Sequence, residues 1–372
     1  MVLIVVAALL ILAIAFYQVA QGLFSALVMA ILTVLSAAAA FAFYEPLAEL
    51  LYSRQPTCAD AISLIATFVL PLLVLRIVLD RFVGGNVVLG VWPDRVFGGA
   101  LGLITGTIMV GVLTIAVQML PFGTSVMTYK PFDDSLQRQQ SLAPFYCDQA
   151  TVGLMKVLSA GSLSGSRRFA AVHDDLLLET FCARNTAGKF GRVDALPDAL
   201  GKIEVFNAPD SQLAPWRNDV PANPLMAKNQ PYKDVIVRCR IDKSARDESG
   251  AGDGEQRWRL PATHFRLVTE NGQSHYPVAY LTFEAGVWQA HYVVKEGKTQ
   301  VAQLVVVRPA KKEMDSLIVD WVYRIPNDEK PQYVVFRRTA KQAAGKAYSK
   351  VMPPSQQALD REGLYEGKDP KP

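Results

Sequence analysis

No charged side chain occurs between Met1 and Tyr44, and that absence constrains the fold more than any other feature of the chain. At ~1.5 Å per residue, a continuous helix over this stretch would be about 66 Å long, roughly twice the ~30 Å hydrocarbon core of a bilayer. The run is too long for one crossing and suits two. Its single polar interruption, Tyr17-Gln18-Val19-Ala20-Gln21-Gly22, predicts a tight turn with uncharged amides at headgroup level. Such a chain is read first as an integral membrane protein, its first partner being the lipid bilayer.

Two compositions share the sequence. Residues 1–128 hold four Arg, no Lys and five acids; the rest of the 372-residue chain holds 34 basic and 29 acidic residues. The basic excess therefore belongs to the C-terminal part, where it is dispersed. No Lys/Arg cluster marks a nucleic-acid partner or an anionic-lipid site. The N-terminal apolar run lacks a basic start and exceeds a 7–15-residue signal core, so it is expected to be retained.

Hydropathy and breaker residues predict helices at roughly 2–17, 22–51, 59–82 and 93–120, separated by Arg54-Gln55-Pro56-Thr57 and Gly84-Gly85-Asn86. Four spans place both ends of this region on one side. Arg81 and Arg95 flank the third loop, against Arg54 alone in the second. The positive-inside bias then favours an extracytoplasmic C-terminal part; Lys130 and Arg138 after the fourth span weigh the other way. Ionisable residues next to hydrocarbon usually have a task. Arg76 and Asp80 are spaced to pair at i,i+4, and Asp94 and Arg95 open the fourth span. The span centres offer only hydroxyls such as Thr33, Ser36, Thr67 and Thr107, which argues against a pump or coupled transporter.

The fourth span carries the most specific pattern. Gly98, Gly102 and Gly106 recur at i+4 and form one smooth helix face for close helix packing. Two uses fit. The face packs within the chain against span two, where Ala26, Ala30, Ala37 and Ala40 are also small, or it builds a homo-oligomer through the fourth span.

Over residues 1–120 the chain resembles the colicin V production protein (CvpA) family. The resemblance rests on the four-span layout, the Gln21-Gly22-Leu23 turn, Phe43-Tyr44-Glu45-Pro46-Leu47-Ala48, and above all Asp94-Arg95-x-x-Gly98-x-x-x-Gly102-x-x-x-Gly106. Two departures stand out: no acid in Met1–Leu10, and Val19-Ala20 where a glycine often precedes the first turn. The resemblance implies a bacterial inner-membrane protein tied to toxin production or export and envelope maintenance, with secretion or envelope proteins as partners. Some members carry an extracytoplasmic trypsin-like protease after the spans.

Residues 123–200 read as a helical linker, with apolar faces in Gln149–Ser159 and in 170–183 separated by a Gly/Ser turn over Gly161–Ser166. From 201 to 345 the period falls to two. Strand-like runs cover Val235–Ile241, Thr263–Thr269, His275–Glu284, Val287–Val294, Val301–Arg308, Leu317–Ile325 and Gln332–Arg337, with Asn271-Gly272 and Glu296-Gly297 as hairpin signals. The expected domain is an all-β antiparallel sandwich that resembles immunoglobulin-like domains of bacterial surface lipoproteins. Residues 346–372 are expected to be disordered.

Catalytic and metal constellations are not legible. Gly161-Ser162-Leu163-Ser164-Gly165 centres no serine between its glycines, and His173-Asp174-Asp175 reads as the start of a surface helix. His264, His275 and His291 fall on different strands, and no Cys-x-x-Cys occurs. Gly250–Gly254 lacks the following helix of a phosphate cradle. A Cys147–Cys182 disulfide would suit an oxidising compartment; the other reading is buried free thiols. The expectation is a non-enzymatic membrane scaffold without cofactor or metal, presenting a β-sandwich to partners. An oligomeric channel or transporter component is the alternative.

Overall fold

A computed structural model of the chain describes residues 2–52, 54–55, 57–82, 90–121, 125–133, 136–139, 146–161, 169, 173, 175–184, 198–207, 231–246, 257–284, 287–291, 294–295, 298–299, 305–309, 315–346 and 353–354. Gly84-Gly85-Asn86, Ser162–Ser166, Gly250–Gly254, Glu296-Gly297 and the tail after Pro354 lie outside the described residues. The chain divides into two compact units. The first holds residues 1–131 and 139–181, the second 132–138 and 182–372.

Four long apolar helices build the first unit: α1 (Val2–Gln21), α2 (Leu23–Leu51), α3 (Ala59–Phe82) and α4 (Val91–Gln118). Each is long and apolar enough to cross a membrane. The polar stretch at 17–22 does not open a loop. Helix α1 continues through it, and the whole reversal falls on Gly22, at φ 86° and ψ 167°. A side chain would strain that backbone, so the break is one residue wide. Helix α1 gains a turn over its expected end and becomes a span of 20 residues.

Helix α5 (Cys147–Ala160) follows within the same unit. Its approach to α4 is centred on Gly111, where an added Cβ would run into Thr151 and the Cys147 carbonyl. Thr151 Oγ1 donates to the Thr107 carbonyl at 3.5 Å. Helix α6 (Leu176–Arg184) begins in the first unit and ends in the second.

The second unit is antiparallel β-structure. Its strands are β1 (Glu204–Asn207), β2 (Tyr232–Asp242), β3 (Arg257–Pro261), β4 (Phe265–Thr269), β5 (Ser274–His275), β6 (Ala279–Glu284), β7 (Val287–His291), β8 (Val294–Lys295), β9 (Lys298–Thr299), β10 (Val305–Pro309), β11 (Ser316–Pro326), β12 (Pro331–Phe336) and β13 (Ala340–Ala343). One sheet runs β1-β2-β11-β6-β7 and another β13-β12-β4-β5; β10-β3 and β8-β9 are separate pairs. The central ladder sets Val237 opposite Trp321 and Cys239 opposite Val319. Because side chains alternate across a strand, Val235, Val237, Cys239 and Ile241 share a face with Leu317, Trp321 and Tyr323. That face closes on Phe265, Leu267, Val334 and Phe336 of the other sheet in one buried core. The Asn271-Gly272 hairpin is present, with Gly272 at φ 81° joining β4 to β5.

Candidate functional site

The glycine ridge of α4 faces α1. A Cβ on Gly102 would stand 2.8 Å from both Ala15 Cα and Gln18 Cβ. On Gly106 it would meet the Ile11 carbonyl at 3.1 Å, and on Gly98 the Gln18 carbonyl at 3.3 Å. The contacts descend α1 as they ascend α4, so the helices run antiparallel, backbone against backbone. The intramolecular partner is therefore span one, not the expected span two. The alanines of span two, among them Ala26, Ala37 and Ala40, are buried as well. A homo-oligomer through this ridge would have to displace α1.

The interfacial charges divide. Arg76 Nε and Asp80 Oδ2 pair at 2.9 Å, both partly exposed, a pairing worth little against water. Asp94 lies in the first turn of α4, where a carboxylate suits the helix dipole, and Arg95 is exposed. None of the four cysteines is disulfide-bonded, so the expected Cys147–Cys182 bridge is not formed. Cys147 Sγ instead lies 3.7 Å from Thr114 Oγ1, and burial pushes its thiol up.

The chemically richest cluster in the first unit gathers around His173, which was expected to open a surface helix. The residue is buried, with Nδ1 at 2.6 Å from Glu179 Oε2 and Nε2 at 2.9 Å from Glu45 Oε1. Glu45 comes from the end of α2 and Glu179 from the first turn of α6. Phe169 packs against the imidazole at 5.2 Å, tilted by 40°, and meets Phe41 of α2 edge-on at the same distance. Nearby on the bundle, Tyr52 Oη donates to Asp60 Oδ1 at 2.6 Å. Burial alone would lower the His173 pKa, but the Glu179 and Glu45 carboxylates outweigh it and raise the value to about 9. At neutral pH the ring is an imidazolium that donates from both nitrogens, a charged clip between the end of α2 and the start of α6. The signal available in the sequence was Glu45, an acid inside the apolar second span.

In the second unit the charges sit opposite each other across β2 and β11. Arg238 Nε donates to Asp320 Oδ1 at 2.7 Å and Nη2 to Oδ2 at 3.1 Å. Arg324 pairs with Asp234 in the same bidentate manner, at 3.0 and 3.2 Å. Burial pushes the Asp320 carboxyl up even with Arg238 against it, so desolvation outweighs the ion pair there. The histidines are dispersed. His275 meets Glu329 at 3.1 Å, His291 meets Thr282 at 2.6 Å, and His264 lies in the 3₁₀ turn before β4. Among the described residues no group of three or more His, Cys, Asp or Glu is placed to hold a metal.

Four apolar helices long enough to cross a bilayer, followed by antiparallel sheets with a core of their own, define a multi-pass membrane protein with an added β-rich part. Residues 3–146 match the family model described as Colicin V production protein. That match runs from the first span to the residue before α5, and the β-rich part lies beyond it. No curated protein and no solved structure gives a significant match to the chain, so the immunoglobulin-like resemblance rests on strand pattern alone.

Proposed function

We propose that the protein is a non-enzymatic scaffold of the bacterial inner membrane, serving toxin production or export and envelope maintenance. Its spans anchor the chain, and its β-rich part is held outside the cytoplasm to engage envelope or secretion proteins. The observation that carries this reading is the match of residues 3–146 to Colicin V production proteins, joined to a second unit that builds its own core. The spread of Arg54, Arg81 and Arg95 among the loops supports the outward placement. Paired alkaline phosphatase and fluorescent-protein fusions after Lys350 test it. Phosphatase activity without fluorescence is the expected result, and the reverse pattern moves the β-rich part among cytosolic partners.

A second reading, a channel or transporter component, is favoured by one observation. The hydroxyls of Thr33, Ser36 and Ser63 are buried on α2 and α3 with no hydrogen-bond partner, and water entering an opened channel between these helices would satisfy them. Solute flux or conductance in proteoliposomes would support that reading, and silence in both would dismiss it.

A further inference from the structure

Asp148 is buried where the first turn of α5 meets the last residue of α4. Its Oδ2 accepts from Gln118 Nε2 at 2.9 Å and from the Tyr129 hydroxyl at 3.2 Å. Its Oδ1 accepts from the Gln149 backbone N–H at 2.8 Å. Every donor is neutral, and no Lys, Arg or His among the described residues pairs with the carboxylate. A buried charge without a counter-charge is costly.

Helix dipoles do not supply the missing charge. The N-terminus of α5 favours the carboxylate, but the C-terminus of α4 opposes it with about the same partial charge of opposite sign. A carboxylate offers roughly four lone-pair directions, and three are used. Beside it, Gln118 is fully buried, its amide is turned onto Asp148 through Nε2, and its Oε1 has no hydrogen-bond partner. With Asp148 ionised, the site thus has spare oxygen acceptors and one net negative charge, and no described residue supplies it with a positive group.

We propose that Asp148 and Gln118 bind a monovalent alkali cation, sodium or potassium, at the α4–α5 junction. The donor set is oxygen only, which suits a hard cation. One carboxylate balances one positive charge, while a divalent ion would leave a positive excess in a buried place. Cys147, the adjacent sulfur, lies against Thr114 instead. The cation would tie α5 to α4 and so fix how the chain leaves its last span.

The test uses the full chain in detergent, unfolded thermally at constant ionic strength in sodium, potassium or N-methyl-D-glucamine chloride. A ligand that binds only the folded state raises the unfolding temperature saturably. The expected result is such a rise with an alkali cation in the wild type and its loss in Asp148→Asn and Gln118→Met. Tyr129→Phe, which keeps both oxygen ligands, should retain the response. Radioactive sodium binding to the wild-type protein, competed with potassium, guards against variants that fail to fold, and about one site per chain is expected. Identical unfolding in all three salts, a response to magnesium or calcium alone, an unaltered response in Asp148→Asn, or no bound sodium displaceable by potassium would overturn the assignment.

Discussion

An imidazolium between two carboxylates makes His173 the residue whose charge state matters most to the first unit. Its pKa is 6.5 in an unfolded chain and about 9 in place, so the folded state holds the proton more tightly. The stabilisation is complete below pH 6.5 and disappears as pH climbs through about 9. At full size it is roughly 3 kcal/mol, since each pKa unit is worth about 1.4 kcal/mol. Thermal unfolding in detergent should therefore show wild-type stability falling over that window, and His173→Gln should flatten the dependence. The β-rich unit offers a second residue-scale test. Arg238→Ala leaves Asp320 buried with its main counter-charge gone and should cost about 3–5 kcal/mol, whereas replacing both partners by apolar residues should cost far less. Denaturant unfolding followed by tryptophan fluorescence reads both variants. Strand alternation sets Arg238 and Asp320 on the face of the sheet opposite Val237 and Trp321. Their pairing across 82 residues was not legible, because alternation fixes a face and leaves register open.

At the scale of elements, hydropathy located the four spans to within a few residues, since an unbroken apolar run leaves a chain few alternatives in lipid. It said nothing of which helix fills the glycine ridge, because every span is equally apolar. The answer, α1, predicts a sharp contrast between two glycines. Gly102→Val drives a side chain into Ala15 and Gln18 and should cost about 1–3 kcal/mol or more through overpacking. Gly153, in mid-α5, has nothing within 4 Å of an added Cβ, so Gly153→Ala should be tolerated or gain about 0.5–1 kcal/mol. Yield of monodisperse protein and unfolding temperature in detergent check both. The long strands β2, β11 and β12 were legible from their alternation. The four-residue strands β1 and β13 were not, since Glu204–Asn207 and Ala340–Ala343 are too short and too mixed to show a period. Helix α5 was visible as an amphipathic segment, but its seat on Gly111 depended on a contact between elements that no local pattern encodes.

For the whole molecule, two compact units with separate cores predict two unfolding transitions in calorimetry in place of one cooperative event. His173→Gln should lower only the transition of the helical unit at neutral pH, and Arg238→Ala only that of the β-rich unit. A single merged transition that moves with either substitution would contradict this independence. The family likeness covers residues 3–146, so the second unit from Cys182 onward is read on its own terms.

The seating of α1 on α4 carries a consequence for biogenesis. Ala15 and Gly102 touch in the finished protein, yet about 85 residues separate them in the chain. At ~5–20 residues per second of synthesis, the first helix leaves the ribosome roughly 4–17 seconds before its groove exists. During that wait its flat Ala15–Gln18 surface lies bare in the bilayer or against the insertion machinery. Slowing translation between the third and fourth spans should lengthen that exposure and make nascent α1 more open to capture by other membrane helices or by quality-control proteases.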